Sequence, residues 1–172
     1  MHNFHWSVRG RLELQENSSK IWEVISTKSN LELFHPFCDK NPVSKWPGQN
    51  SLDTIYYYSG LVLRRKLVHW FDNRGYDLFI GKKNSSQSFV SWRIEDFGDS
   101  SSLTVSIYPY MYNSGSKLIN FIPFYFFIRP MIQKYINSVM AGLEYYIETG
   151  KVVSKNQFGT HSFFSNYFFL LL

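Results

Sequence analysis

The stretch PMIQKYINSVMAGLEYYIET, residues 130–149, decides the fold. Ile132, Ile136, Val139, Leu143 and Ile147 recur at spacings of three and four, with Tyr135, Met140 and Tyr146 flanking them. That period gives a helix with an apolar stripe along its whole length. Pro130 suits a first helical position and Gly150 can close the last turn. A helix of this length measures about 30 Å, enough to cross a domain. Gly142 sits in its middle, where glycine costs about 1 kcal/mol relative to alanine. Close packing or room for a ligand must offset that cost.

The sequence before this helix supplies its partners. Residues 4–14, FHWSVRGRLEL, alternate: Phe4, Trp6, Val8, Leu12 and Leu14 share one face with Gly10, and polar or charged residues share the other. Period two with one polar face predicts a half-buried strand. Asn17 or Ser18 can cap a helix, SSKIWEVIS, with Ile21, Trp22, Val24 and Ile25 as core candidates. Asn30 is placed to cap a second short helix, Leu31–Phe34, which Pro36 stops. Strands follow at 43–46, 52–59, 61–71, 76–80, 89–95 and 103–108, joined by turns such as Asp72-Asn73-Arg74-Gly75. Short strands joined this way form an antiparallel meander. Residues 1–150 are predicted to form one domain, with 151–172 as a C-terminal extension that is partly ordered.

Composition narrows the class. The chain has 172 residues, 19% of them aromatic, including 16 Phe and 12 Tyr. It can bury a sizeable core or line a cavity with rings. The net charge of +5 is scattered. Arg64 and Lys66 point away from Arg65 in a strand, so the basic triplet is not one patch. No nucleic-acid surface is expected. Cys38 is the single cysteine, which rules out an intrachain disulfide and fits a reducing compartment. MHNFHWSVRG does not resemble a leader, so a cytoplasmic protein is expected. FIPFYFFIRP, 121–130, and FFSNYFFLLL, 163–172, are about half the length a membrane span requires.

Few residues suggest reaction chemistry. His2 and His5 have ligand-like spacing but face opposite sides of a strand, and one thiol cannot build a structural zinc site. No metal and no cofactor are assigned. Cys38 near His35 reads as a buried structural residue. Glu95, Asp96 and Asp99 read as a solvated hairpin tip. No Gly-x-Ser-x-Gly or phosphate-cradling glycine loop is present, and no catalytic residue is assigned. More informative are polar residues on apolar faces. By simple alternation Arg65 and His69 share the face of Leu61, Leu63, Leu67 and Phe71. A charge there is either paired, splayed to solvent at a strand end, or available to a ligand. Tyr56 and Tyr58 share one face and Tyr57 shares the other with Ile55; either pair can turn inward.

The order of strand, two helices, about six strands and one long helix resembles the helix-grip fold of the START-like (SRPBCC) superfamily, which includes pollen-allergen, lipid-transfer and polyketide-cyclase families. The segments WRIEDFGDSSSLTVSIYPY and MIQKYINSVMAGLEYYIETGKVV are similar to polyketide cyclase/dehydrase-related and uncharacterised members. The resemblance implies an α+β fold, a curved antiparallel sheet of about seven strands wrapped around the long C-terminal helix, with a cavity between them. Tyr56, Tyr58, Arg65, His69, Trp92, Val139 and Leu143 are the expected ligand-binding residues. Phe121, Phe124, Phe126 and Phe127 are the expected portal or lid, with Pro123 and Pro130 disfavouring a continuous helix. Core packing and membrane contact are the competing readings of that segment. The implied function is binding of a hydrophobic or aromatic small molecule (lipid, polyketide-like or quinone-like) as carrier or sensor. The alternatives are a cyclase or aromatase-type enzyme using the same cavity, and a peripheral membrane protein handling lipids.

Overall fold

The alternation of residues 4–14 becomes strand β1 (Val8–Leu14), in which burial alternates residue by residue. The structure, a computed structural model, describes residues 4–165. His2 and the end of the 163–172 stretch lie outside them. Helix α1 (Ser18–Ser26) starts where the sequence predicts: the Asn17 side chain accepts the Ser19 N–H at 2.8 Å. Helix α2 (Leu31–Phe34) follows, but Asn30 makes no side-chain cap. Its side chain turns inward, donating to the Ile25 carbonyl and accepting from Arg65.

The strands are β2 (Cys38–Lys40), β3 (Val43–Lys45), β4 (Leu52–Tyr57), β5 (Val62–Phe71), β6 (Gly75–Gly81), β7 (Ser88–Asp96) and β8 (Ser101–Tyr108). They form one eight-stranded sheet in the order β1-β8-β7-β6-β5-β4-β2, with β3 paired to β4. All the pairings are antiparallel. A register shift between Leu67 and His69 interrupts the β5–β6 ladder. This bulge puts an extra residue into β5 and exchanges its faces. Arg65 and Leu67 face the core, whereas His69 and Phe71 do not. The shared face expected from simple alternation is therefore broken.

Helix α5 (Arg129–Thr149) lies across the inner face of this sheet, with Ile136, Val139, Leu143 and Ile147 buried in the core. Two glycines permit its close approach. A Cβ on Gly142 would lie 2.1 Å from the Phe34 carbonyl oxygen, so α2 crosses α5 with no space for a methyl group. A Cβ on Gly10 would meet the Ile136 side chain at 2.9 Å where β1 crosses the helix. Close packing, not ligand space, offsets the helical cost of Gly142.

Between β8 and α5 run helices α3 (Tyr110–Asn113) and α4 (Lys117–Pro123), and then one wide turn, Phe124–Ile128, continuous with α5. The expected interruption at Pro123 and Pro130 is absent. In a regular helix the Pro130 ring would press on the carbonyl of Phe126. The turn instead widens, with the Arg129 N–H donating to the Phe124 carbonyl, five residues back.

Gly142→Ala should destabilise the protein by on the order of 2 kcal/mol through overpacking, although alanine is the better helix former. Gly10→Ala should cost less, because the flexible Ile136 side chain can yield where the Phe34 backbone cannot. Urea titration of the two variants tests this order; Gly142→Ala matching the wild type contradicts the close crossing.

Candidate functional site

The sheet and α5 do not meet everywhere. Between them lies a cavity of about 410 Å³. Its walls are mostly apolar, with Ile55, Leu78, Val90 and Trp92 from the sheet and Ile132 and Val139 from the helix. Lys82, Ser85 and Ser86, exposed in the β6–β7 loop, line its outer end, and Met131 and Phe163 also contribute to the lining. His35, Tyr57 and Arg65 line its buried end.

Those buried polar groups are neutral or paired. The Phe37 N–H donates to His35 Nδ1 at 3.2 Å. The His35 proton therefore sits on Nε2, which donates to Tyr135 Oη at 2.8 Å. Tyr135 and Tyr57 hydroxyls lie 3.3 Å apart. Two hydroxyl hydrogens share that single contact, so one of them has no acceptor among the described residues. Burial lowers the His35 pKa to about 3. Burial likewise raises the Tyr135 hydroxyl to about 12 and pushes Tyr57 well up, the latter reinforced by Tyr135. The cluster is thus an uncharged donor at neutral pH. The Trp92 indole N–H, also in the cavity wall, is buried with no acceptor among the described residues.

Arg65 is not a free cation. Its Nε lies 2.8 Å and its Nη2 2.5 Å from the two Asp53 oxygens, and Nη2 also donates to Asn30 Oδ1 at 3.3 Å. Burial works against its charge, but Asp53 more than offsets this and keeps the guanidinium protonated. The bidentate pair is consumed inside the fold, as a desolvated charge requires.

The remaining expected residues separate clearly. Val139 and Trp92 line the cavity. Leu143 is fully buried in the core without lining it. Tyr56 faces away and is 42% exposed, while Tyr57 turns inward. Tyr58 carries Lys155 over its ring, 4.7 Å from the centroid, outside the cavity. His69 lies beyond the β5 bulge, 3.1 Å from Asp77, which also binds Arg93 at 2.7 Å. Phe121, Phe124, Phe126 and Phe127 do not line the cavity; Phe124 is core, packed on Trp6. Burial raises the Cys38 thiol to about 12, which leaves it unreactive.

Sequence reasoning missed the contribution of residues 151–165. The Val153 and Asn156 N–H groups donate to the Leu33 and Pro36 carbonyls, and Ser138 Oγ donates to the Phe158 carbonyl. His161 Nδ1 accepts the Phe163 N–H, and its Nε2–H donates to the Met131 carbonyl at 3.2 Å. Phe164 packs 4.6 Å from Tyr135 and 4.8 Å from Tyr57, ring centre to ring centre, and closes the cavity wall. The segment has no helical or strand period and an ordinary share of aromatics for this chain, so the sequence carried no signal for this packing.

His35 gives a pH dependence of known sign. The unfolded chain takes up its proton near pH 6.5, and the folded protein only near 3. Between those values the unfolded state binds more protons, so stability is fully present above 6.5 and falls with pH toward 3. His161, also lowered by burial, adds in the same direction. The melting temperature should therefore drop across this window, and His35→Gln should reduce the slope. An unchanged slope in the variant contradicts a buried neutral imidazole.

Neither protein-family models nor curated proteins match the sequence. Solved structures do match in three dimensions. A START superfamily protein from Mycobacterium smegmatis superposes with a TM-score of 0.64 at 12% identity, covering 84% of this chain and 99% of that one. DynU16, a putative protein in the dynemicin biosynthetic locus, gives 0.64 at 13% identity over 87% of this chain, which spans 51% of DynU16. Ara h 8.0201 gives 0.59 at 9% identity, covering 84% of this chain and 98% of that one. With its eight-stranded antiparallel sheet, its paired short helices and its long C-terminal helix, the chain has the START-like helix-grip fold.

Proposed function

We propose that the protein is a cytoplasmic carrier or sensor. It holds a hydrophobic small molecule, uncharged and bearing an oxygen acceptor, in the cavity beneath α5. One observation carries this reading: a largely apolar chamber of about 410 Å³ ends on the His35–Tyr135–Tyr57 cluster, which has one hydroxyl hydrogen to spare. An apolar chamber with a few convergent polar groups is the usual composition of a small-molecule site. The donor suits a carbonyl or hydroxyl oxygen, as in polyketide-like and quinone-like molecules. An anionic lipid headgroup suits the chamber less well, because Asp53 already neutralises Arg65.

The enzyme reading has less support. General acid–base catalysis works best with a pKa near the working pH. His35 lies far below neutrality, and Tyr57 and Tyr135 far above it. All three are better placed to orient a ligand than to exchange protons with it.

Native mass spectrometry of the protein isolated from its own host tests the proposal. A retained neutral molecule containing oxygen is expected. Tyr57→Phe combined with Tyr135→Phe, which removes both hydroxyls and so the spare hydrogen, should weaken its retention about fivefold to tenfold, a typical value for one hydrogen bond. A retained anion, or a ligand held as well by the double Tyr57→Phe, Tyr135→Phe variant as by the wild type, overturns the anchoring role.

A further inference from the structure

We infer that residues 110–128 dock on an anionic lipid bilayer and set the cavity's outer end against its surface. Helix α4 and the wide turn after it touch the domain sparingly. Phe124 alone is fully buried there, against Trp6 and Tyr112. Leu118 is 89% exposed, Phe126 69% and Phe127 70%, with Met111, Ile119 and Ile122 similarly exposed. Single exposed apolar residues are ordinary, but a contiguous group of this kind marks an interaction surface.

Charge identifies the partner. No Asp or Glu occurs between Asp99 and Glu144, while Lys117, Arg129 and Lys134 are all exposed. An apolar helix flanked by cations and free of carboxylates has the composition of an interfacial segment. A second copy is a poorer fit: a two-fold contact would oppose Lys117 and Arg129 to their own equivalents, whereas anionic lipid supplies the missing charge. No helix among the described residues is long and apolar enough to cross a membrane. The segment is therefore suited to lie on the bilayer.

The surface and the cavity share one end of the domain. Ser88 lines the cavity and accepts the Tyr110 N–H at 3.1 Å. Met131 and Ile132, also in the lining, follow Phe127 by four and five residues. Lys82 and Lys83 sit exposed in the neighbouring loop. A bilayer bound here delivers an apolar ligand to the cavity without passage through water. That delivery rests on the proposed ligand binding; the docking does not.

Flotation of the full chain with phosphatidylcholine vesicles, with and without phosphatidylserine, tests the docking without any ligand. Binding to the anionic vesicles is expected, with weaker binding to the neutral ones. Combining Leu118→Ser, Ile119→Ser, Phe126→Ser and Phe127→Ser should reduce partitioning by on the order of a hundredfold. Lys117→Gln with Arg129→Gln should reduce only the anionic preference, by about thirtyfold. Both variants should melt as the wild type does, because the changed side chains are exposed. A wild type that floats with neither vesicle, a quadruple variant that floats unchanged, or a soluble dimer that the quadruple change converts to a monomer would each overturn the proposal.

Discussion

Everything in this fold depends on how closely α5 can approach its neighbours. At Gly142 the helix backbone meets the Phe34 carbonyl, and at Gly10 strand β1 meets Ile136, each with no space for a methyl group. The first crossing holds α5 against α2, and the second seats it on β1 at one edge of the sheet. Neither crossing lies over the central strands, and there the interior side chains leave a gap. The cavity is the space left over. A helix packed only through large side chains would be free to settle toward the sheet and close it, since interiors otherwise reach crystal-like density.

Burial then determines the chemistry of that space. Taking ionisable groups out of water favours their neutral forms or forces them into pairs. Arg65 survives as a cation because Asp53 grips it with two hydrogen bonds and Asn30 adds a third. His35, Tyr57 and Tyr135 have no such counter-charge and remain uncharged. The result is a chamber that presents polar groups without a free charge. Its outer end adjoins the opposite kind of surface, where apolar side chains remain in water with cations around them. The two features make physical sense together if the ligand is itself more soluble in lipid than in water.

Much of the architecture was legible in the sequence because it rests on period. The alternation of β1, the Asn17 cap and the stripe of α5 each follow from local spacing. Three things were not legible. The β5 bulge adds one residue between Leu67 and His69, and a single insertion reverses every later face of a period-two pattern. That is why Arg65 and His69 were expected together and lie apart. The inward member of the Tyr56–Tyr57–Tyr58 run depended on sheet pairing, which alternation alone leaves undecided. Residues 151–165 have no period at all, yet they supply Phe164 and His161 to the cavity wall. The two prolines near α5 misled for a related reason: each weakens a regular helix, but one widened turn accommodates Pro130.

The most direct test of this account is a crystal structure of the protein purified from its own host. The account predicts continuous density for one molecule under α5, apolar along most of its length, with an oxygen within hydrogen-bonding distance of Tyr57 or Tyr135 and the Arg65–Asp53 pair intact. A space filled by collapsed side chains, or a ligand anion that has drawn Arg65 away from Asp53, would contradict it.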